Sequence, residues 1–440
     1  MTKPGLSPNS IFRPKPIEIA PTLLRRRKYW DALFYWMGKS SALFACLLLV
    51  GILASIVYWA IPAFLSIELK LTIPHERILN DVENPLTHRA LLFETTLKNT
   101  FPDLQTPQQI RQAQNLFSLL AQKKVYYIFK HKNDFSEKDP KEVVIWVPAQ
   151  KEVALFLKHL KKRPFFFSEE QEDPKKSRLT PFQRHLLTQM EKNEAIRISF
   201  NWGFFKFSDS QTPELAGIYG ALIGSLYVLA IALLFSLPIG VMSAIYLEEL
   251  SKDTRLNRWI EINLNNLAAV PSVVFGLLGL SVFLNFLSLP RSASLVGGLT
   301  LGLLLLPIMI VSSRLALRAV PDTIRQAARG LGASPLQVVF HHVVPLAFSG
   351  ILTGTLLALA RALGECASLL MVGMMAFITQ EPKSIFAPAT TLPIEIYQWV
   401  ERPERGFDEL SSAAILFLLL ILGGINWTAL FLKRKFEKRW

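Results

Sequence analysis

Six long stretches without Asp, Glu, Lys or Arg constrain this 440-residue chain more than any other feature of its sequence. Each has about the 18–20 residues that a helix needs to cross a bilayer, so the sequence predicts six membrane spans. The stretches are Ser40–Ile67, Leu215–Leu247, Ile262–Pro290, Ser292–Ser313, Val343–Ala360 and Leu410–Leu432. The fifth is expected to continue through two charged residues to about Ala376. The predicted fold class is therefore an all-α polytopic membrane protein.

Basic residues lie beside the apolar stretches rather than being spread along the chain. The net charge is +14, and 51% of the residues are hydrophobic against 19% that are charged. Arg25–Lys28 precedes the first stretch and Lys433–Lys435 follows the last. This distribution is typical of the positive-inside rule and less so of a nucleic-acid-binding surface. We therefore expect a multi-pass protein of the bacterial inner membrane whose termini, residues 1–39 and 433–440, are both cytoplasmic.

The segment at 68–213 is polar and mixed in charge, and the alternation of spans places it outside the cytoplasm. Thr106 followed by Pro107 predicts a helix start, and the string EVALFLKHLKKR predicts another helix. The strings VYYIFKHK, EVVIWVP and RISFNWGFFKFS are rich in aromatic and β-branched residues and predict strands. We expect a small α+β periplasmic domain between the first helix, at 40–67, and a five-helix membrane domain at 215–432.

The string RQAARGLGASPLQVVFHHVVPLA runs from the predicted cytoplasmic loop at 320–342 into the fifth apolar stretch. It predicts a short helix of small residues that ends near Gly332, where glycine permits a sharp turn. Ala327 and Ala328 have little side chain, so a groove of another protein could approach the backbone closely. From composition alone, an ordinary helical loop is an equally good interpretation.

The spacing of this string resembles the Glu-Ala-Ala…Gly loop of ABC importer permeases. Gln326, Ala327, Ala328, Gly332 and Pro345 occupy the matching positions. In that family the loop is a coupling helix that enters a cleft of the ATP-binding subunit. The resemblance implies the type I importer permease fold and assigns these five residues to ATPase coupling. Gln326 stands where the family has Glu, which removes one charge from the contact.

Further strings resemble the PstA-type phosphate permeases, a branch of that family, over about residues 215–432. They are YLEEL, AVPSVVFGL, ARALGECASLL and LPIEIY. The resemblance implies a permease that moves inorganic phosphate by alternating access. Its implied partners are a PstC-like permease, a dimer of the ATP-binding subunit PstB and a periplasmic phosphate-binding protein. The alternatives are an importer of molybdate, sulfate or phosphonate, the partner permease PstC itself, and a non-transport membrane sensor.

Arg361 and Glu365 lie four residues apart in the continuation of the fifth apolar stretch. A continuous helix would place both on one face, one turn apart. Charged residues inside a membrane are costly and are usually kept for structure or for a substrate path. Two interpretations stay open. The pair is structural, or Arg361 offers phosphate oxygens a transient contact that Glu365 weakens. We name both residues as candidates for the substrate pathway.

No GxxxxGK[ST] phosphate-binding loop occurs in the sequence. The chain is therefore predicted not to be an enzyme itself but a subunit of an ATP-hydrolysing translocase whose partner ATPase binds ATP and Mg²⁺. Cys46 and Cys366 have no CxxC or metal-ligand spacing. We predict no catalytic residue, no metal site and no cofactor in this chain. Phosphate and membrane lipid are expected contacts, and nucleic acid is not.

Overall fold

The computed structural model describes residues 21–74, 89–102, 104–130, 142–160, 179–251, 254–404 and 406–436. The chain divides into two units, Met1–Ser55 and Ile56–Trp440. Most of the first long helix lies in the first unit. The second unit contains an α+β region and the remaining membrane helices.

Helix α1 (Pro21–Ala60) is followed by a 3₁₀ turn at Ile61–Phe64. The stretch Lys28–Phe64 is long and apolar enough to cross a membrane. The helix begins well before the predicted start of the span, because Leu, Arg and Lys are good helix formers. It ends before the predicted end, because Pro62 interrupts it and cannot donate a backbone hydrogen bond. Residues 65–67, predicted to lie in the span, belong to a strand.

A three-stranded antiparallel sheet with strand order β2-β1-β3 forms the centre of the α+β region. Its strands are β1 (Leu65–Pro74), β2 (Glu142–Pro148) and β3 (Ile196–Phe200). Successive side chains of a strand alternate between the two faces of a sheet. Leu69, Leu71 and Ile73 therefore share one face, and all three are buried. That face carries the core of the region.

The helices of this region pack on the sheet through one apolar core. They are α2 (Arg89–Thr100), α3 (Pro107–Gln114), α4 (Leu119–Lys130), α5 (Lys151–Leu160) and α6 (Pro181–Lys192). The single turn α7 (Gly203–Lys206) packs through Phe204 in a second cluster with Ala216 and Ile218. Thr106 caps α3 as predicted, since its hydroxyl oxygen accepts a hydrogen bond from the backbone N–H of Gln109 at 3.3 Å. The small α+β region predicted from the sequence is thus present.

Two predicted strands of the region are corrected. The string RISFNWGFFKFS is extended only as far as Phe200, and its residues Gly203–Lys206 form the helical turn α7. The string VYYIFKHK is helical from Val125 to Lys130, and its last two residues lie outside the described part of the chain. Ala121 and Val125 are buried four residues apart, which is the spacing of one helix face. Packing on the core has overridden the β propensity of Val, Tyr, Ile and Phe. The predicted strand EVVIWVP is confirmed as β2.

The membrane region consists of long helices joined by short ones. They are α8 (Tyr219–Ile245), α9 (Arg255–Ala268), α10 (Ser272–Gly279), α11 (Ser294–Arg318), α12 (Asp322–Gly330), α13 (Pro335–Gln337), α14 (Val344–Leu363), α15 (Ala367–Val372), α16 (Leu392–Glu401) and α17 (Gly406–Phe436). Turns of π-helix extend α8 to Leu250 and α10 to Phe286, and another joins α13 to α14. Five helices of the described residues can span a membrane, or six if one bent pair is counted as a span. The mostly helical, polytopic fold class is confirmed.

The bent pair corrects the predicted third span. Helices α9 and α10 meet at an angle of 102°, so Ile262–Pro290 is not one straight helix. The break lies at Pro271, which precedes α10 in an extended conformation with φ −57° and ψ 139°. A residue before proline is disfavoured in the helical region, so α9 ends before Val270.

The fifth predicted span is also shorter than expected. Helix α14 ends at Leu363, with Gly364 as its C-cap, instead of continuing to Ala376. Beyond it, the short helix α15 ends at Gly373, whose φ of +91° favours glycine. The chain then returns through the helix α16 to the last span, α17. The two charges of the fifth stretch therefore lie at a helix end.

Candidate functional site

Helix α12 forms from the string singled out in the sequence. It begins after Pro321, with Asp322 in its first turn, and its C-cap is Leu331. Gly332 follows with φ +84°, a left-handed conformation that glycine adopts without steric cost. Ser334 then starts α13 with a capping box. The predicted short helix and sharp turn are therefore both present.

The exposed surface of α12 is small and partly apolar. Gln326, Ala327 and Gly332 are exposed, and Leu331 is 91% exposed. An exposed leucine beside an alanine and a glycine makes a shallow apolar surface that another protein can approach closely. Pro345, which is also exposed, lies in the first turn of α14.

Ala328 does not belong to that surface, contrary to the prediction. It is 5% exposed and packs in a cluster that includes Val339, Val343 and Ile351. Ala328 points about 100° away from Ala327 around the helix, onto the side that packs against this cluster. The small side chain of Ala328 lets α12 lie close to the membrane helices.

Arg325 fixes α12 to the end of the α8 helix. Its guanidinium donates hydrogen bonds to both carboxylate oxygens of Glu249, the shortest at 2.6 Å. It also donates to the carbonyl oxygens of Val320 at 2.6 Å and Leu317 at 2.9 Å, and to Asp322 at 3.0 Å. The hydrogen bond with Glu249 raises the pKa of Arg325 above its usual value. The pair is well shielded from water, with 12% of the Arg325 side chain and 6% of the Glu249 side chain exposed.

A second group of ion pairs continues from this one. Glu248 accepts hydrogen bonds from Arg314 at 3.2 Å and from Arg318 at 2.7 Å, both on α11. Arg314 also bonds Glu261 of α9 at 2.9 Å. The charged side chains thus connect α8, α9, α11 and α12. The sequence analysis assigned no role to these arginines, although the adjacent pair Glu248-Glu249 in YLEEL was visible.

Arg361 and Glu365 are not brought together as predicted. Arg361 lies in the last turn of α14 and is exposed, whereas Glu365 follows the helix and is half-buried. Glu365 accepts a hydrogen bond from the backbone N–H of Ser368 at 3.4 Å, at the start of α15. Within the part of the chain that the structure describes, Arg361 has no ion-pair partner, and Glu365 is not one. The helix ends between the two residues because Gly364 follows Leu363.

Glu365 borders a narrow cavity of about 10 Å³ between α8, α11, α14 and the start of α16. Ser225 and Thr391 also line it. Ser225 accepts a hydrogen bond from the backbone N–H of Leu392 at 2.8 Å, which holds α16 against α8. A cavity of this size has room for about one water molecule. The space beside Glu365 is therefore narrow in this conformation.

A cluster of buried polar side chains lies beside α16. Asp209 accepts hydrogen bonds from Trp399 Nε1 at 2.9 Å and from Arg402 Nη1 at 3.1 Å. Glu395 is 1% exposed, and neither of its carboxylate oxygens has a partner within the described residues. Burial raises the pKa of Glu395 well above its usual value, nearby Asp209 raises it further, and Arg402 opposes the shift. The sequence analysis quoted LPIEIY but assigned no role to this carboxyl.

None of the described residues form a group of three His, Cys, Asp or Glu side chains that could hold a metal ion. The arrangement is thus one of helices and ion pairs. No nucleophile and general base lie together in the sites described above.

Comparison with known proteins gives the family. Residues 236–440 match the family described as "Binding-protein-dependent transport system inner membrane component", and residues 22–165 match a domain of unknown function. The phosphate transport system permease protein PstA of Haemophilus influenzae is 33% identical over 233 residues, which are 52% of this chain and 81% of that protein. The permease protein PstA 1 of Mycobacterium tuberculosis is 35% identical over 215 residues, 48% of this chain and 69% of that one.

Among solved structures, one of the MetNI methionine ABC transporter matches 50% of this chain and 95% of its own, with 16% identity and a TM-score of 0.40. The match of residues 236–440 to a transport family rules out the alternative that the chain is a non-transport membrane sensor. It agrees with the prediction that the chain is not itself an enzyme, and with an integral inner-membrane location. The chain belongs to the PstA-type permeases of binding-protein-dependent transport systems.

Proposed function

We propose that the chain is the permease subunit of an ATP-driven importer that moves inorganic phosphate across the inner membrane by alternating access. The observation that carries this proposal is the 33% identity with a phosphate transport permease over 81% of that protein's length.

The surface of α12 is the proposed contact with the ATP-binding subunit, a PstB-type dimer that holds ATP and Mg²⁺. Gln326, Ala327, Leu331 and Gly332 present a small exposed surface there. The buried Arg325 beneath it ties that surface to the membrane helices. A push on α12 would therefore be transmitted to α8 and α11. A PstC-like permease and a periplasmic phosphate-binding protein would complete the complex.

Arg361 is the proposed contact with phosphate in the pathway. It is exposed and has no ion-pair partner among the described residues, so its guanidinium is free to meet an anion. A guanidinium fork matches two oxygens of a phosphate. Glu365 lies just beyond the helix end and would limit the strength of the contact, because transport needs the ion to leave again. Both termini would lie in the cytoplasm, and the α+β region at 68–213 in the periplasm.

Uptake of labelled phosphate into cells or proteoliposomes that carry the complete complex tests the substrate and the role of Arg361 together. Unlabelled phosphate should compete, and sulfate and molybdate should not. Arg361→Gln should abolish uptake while the complex still assembles, and Arg434→Gln, an exposed arginine in the last turn of α17, should leave uptake unchanged. Normal uptake by Arg361→Gln would refute the pathway assignment. Competition by sulfate or molybdate would refute the substrate.

Contact with the ATP-binding subunit has its own test. Leu331→Asp places a charge on the exposed surface of α12 without touching the buried Arg325. We expect the ATP-binding subunit to be lost on co-purification. Leu336→Asp, on a residue that is 56% exposed in the following helix α13, serves as the control for a charge placed nearby. Retention of the subunit by Leu331→Asp would contradict docking at α12.

A further inference from the structure

The α+β region is fastened to the membrane region at one charged contact. Lys151, the first residue of α5, forms an ion pair with Glu409 in the first turn of α17. The backbone N–H of Lys151 donates a hydrogen bond to the carboxylate of Glu214, in the segment that leads into α8. The side chains of Lys151 and Glu409 are 17% and 11% exposed, so the pair is well shielded from water. One lysine therefore joins three parts of the chain.

The packing around Lys151 is close. A Cβ added at Gly406, where α17 begins, would lie 2.7 Å from the ring of Pro213 and 3.0 Å from Cγ of Lys151. Both distances are shorter than the ordinary carbon–carbon contact of about 3.5–4.0 Å. Glu214 also places a negative charge at the N-terminus of α5, which the helix dipole favours. Packing and charge therefore act together to hold α5 against the start of α17.

The segment before α8 also holds the end of α16. Asp209, whose side chain is fully buried, accepts hydrogen bonds from Trp399 at 2.9 Å and from Arg402 at 3.1 Å. Arg402 also donates a hydrogen bond to a backbone carbonyl oxygen of the same segment at 2.6 Å. Residues 209–214 therefore contact the end of α16 at one point and, together with Lys151, the start of α17 at another.

Aromatic side chains join the same elements. Phe204 of α7, Trp399 of α16 and Phe407 of α17 are completely buried and belong to one apolar cluster. Phe205 packs edge to face on Phe417 of α17, with ring centroids 5.6 Å apart. Buried aromatic side chains remove a large apolar area from water and contribute strongly to packing. The α+β region, α16 and the start of α17 are thus packed together as one body.

The beginning of α16 borders the candidate pathway. Thr391 and Pro393 line the narrow cavity beside Glu365. The backbone N–H of Leu392 donates a hydrogen bond to Ser225 of α8 at 2.8 Å, so this end of α16 is held as well. Helix α16 has ten residues and is about 15 Å long. A shift of its last turn therefore also moves the residues that line the cavity.

We propose that the α+β region is a brace for α16, and that Lys151 is the residue through which it holds this helix in place beside the pathway. Lys151 lies in the part of the chain that matches a domain of unknown function, so the inference gives that domain a mechanical role in transport. The inference rests on the proposed function, because it takes the cavity beside Glu365 as part of the phosphate path. Lys151 is a positioning residue, since it contacts Glu409 and Glu214 and does not line the cavity.

Removing the charge of Lys151 tests the brace on the full chain with its co-purifying subunits in proteoliposomes. Lys151→Met keeps the length of the side chain and leaves Glu409 without its lysine. Amide hydrogen exchange at residues 392–401 should become at least about tenfold faster, because breaking a shielded ion pair favours local opening. Uptake of labelled phosphate should fall, while ATP hydrolysis and exchange at 65–74 and 294–318 stay as in the wild type. Lys151→Arg, which keeps the charge, should behave as the wild type does.

Two further variants control for the change of charge. Lys123→Met, at an exposed lysine of α4, removes the same charge away from the contact and should change neither exchange nor uptake. Glu409→Gln breaks the pair from its other side and should reproduce the effect of Lys151→Met, with the double variant no worse than either change alone. If Lys151→Met does not assemble, Glu409→Gln is judged by the same criteria.

Unchanged exchange at 392–401 in Lys151→Met would overturn the brace, and so would faster exchange with normal uptake. Faster exchange at 65–74 as well would assign the ion pair to the fold of the α+β region alone, which also overturns it. The exchange measurement needs no substrate, so the two proposals fail separately. A wild-type complex that takes up no phosphate refutes the proposed function, and the exchange of α16 still decides the brace.

Discussion

Arg325 binds Glu249 through two of its nitrogens, Nε and Nη2, while Nη1 bonds the carbonyl oxygen of Val320. The guanidinium therefore sits between α12, the end of α11 and the π-helical turn after α8. This single side chain connects the exposed helix that we propose as the ATPase contact to two membrane-spanning helices. The helix α12 and the end of the α8 helix are expected to move as one body.

Removing this connection should separate ATP hydrolysis from transport. Arg325→Gln leaves Glu249 buried without its partner, which typically costs about 3 kcal/mol for a buried ion pair. We expect uptake to fall by at least roughly tenfold, equivalent to about 1.4 kcal/mol, while ATP hydrolysis by the complex continues. The double variant Arg325→Gln, Glu249→Gln should recover part of the lost uptake, with an interaction energy between the two sites on the order of 1–3 kcal/mol.

The matched control lies one turn away on the same helix. Arg329 is exposed and in the last turn of α12, so Arg329→Gln removes the same charge without breaking the buried pair. It should keep uptake and hydrolysis coupled. If Arg329→Gln and Arg325→Gln impair uptake equally, the effect comes from the charge of α12 and not from its attachment to Glu249.

The long apolar helices and α12 could be predicted from the sequence, because these elements depend on local composition. Gly332 is an example: its spacing from the alanines predicted a turn, and its φ of +84° confirms one. The interruptions of the helices were harder to predict. Pro271 breaks the third stretch, whereas Pro238 and Pro307 lie inside continuous helices, and only the surrounding packing distinguishes the cases.

The candidate site was predicted in part. The sequence predicted the short helix that carries Gln326 and Ala327, and both are exposed on it. The partner of Arg325, by contrast, lies 76 residues away, and no local pattern connects Arg325 to Glu249. The expectation that Arg361 and Glu365 share one helix face was wrong, because it assumed a helix that continues past Gly364. Buried Glu395 could not be recognised, since burial is a property of the tertiary fold.

The turn at Gly332 should tolerate no side chain, although there is space for one. A Cβ added at Gly332 or at Gly330 would meet nothing within 4 Å, so the two positions differ only in backbone conformation. Gly332→Ala should destabilise the protein by about 1–2 kcal/mol through the left-handed φ. Gly330→Ala, in a helical conformation, should be neutral or stabilising by up to about 1 kcal/mol. Thermal unfolding of the purified complex compares them, and equal melting temperatures would contradict the role of φ at Gly332.

Glu395 should make stability depend on pH. Its pKa in the folded state is raised above the unfolded value of about 4.3, mainly by burial. Between those two values the folded state binds more protons, so stability falls as pH rises. Glu395→Gln removes the free-energy cost of ionising a buried carboxyl. The variant should therefore have a higher melting temperature at neutral pH, and this gain should disappear below about pH 4. Asp408→Asn, at an exposed acid in the first turn of α17, is the control and should show no such trend. A gain that is the same at every pH would exclude ionisation of Glu395 as the cause.

Gly224 allows the backbone of residue 390 to lie against α8. A Cβ at this position would collide with the carbonyl oxygen of Thr390, a backbone atom that cannot rotate away. Gly224→Ala should therefore destabilise the protein by about 1–3 kcal/mol, although alanine is the better helix former. The same change at Gly423 in α17, where a Cβ would meet nothing within 4 Å, should be neutral or stabilising. Melting temperatures of the two variants test this. A Gly224→Ala variant as stable as Gly423→Ala would show that the loop before α16 can move away from α8.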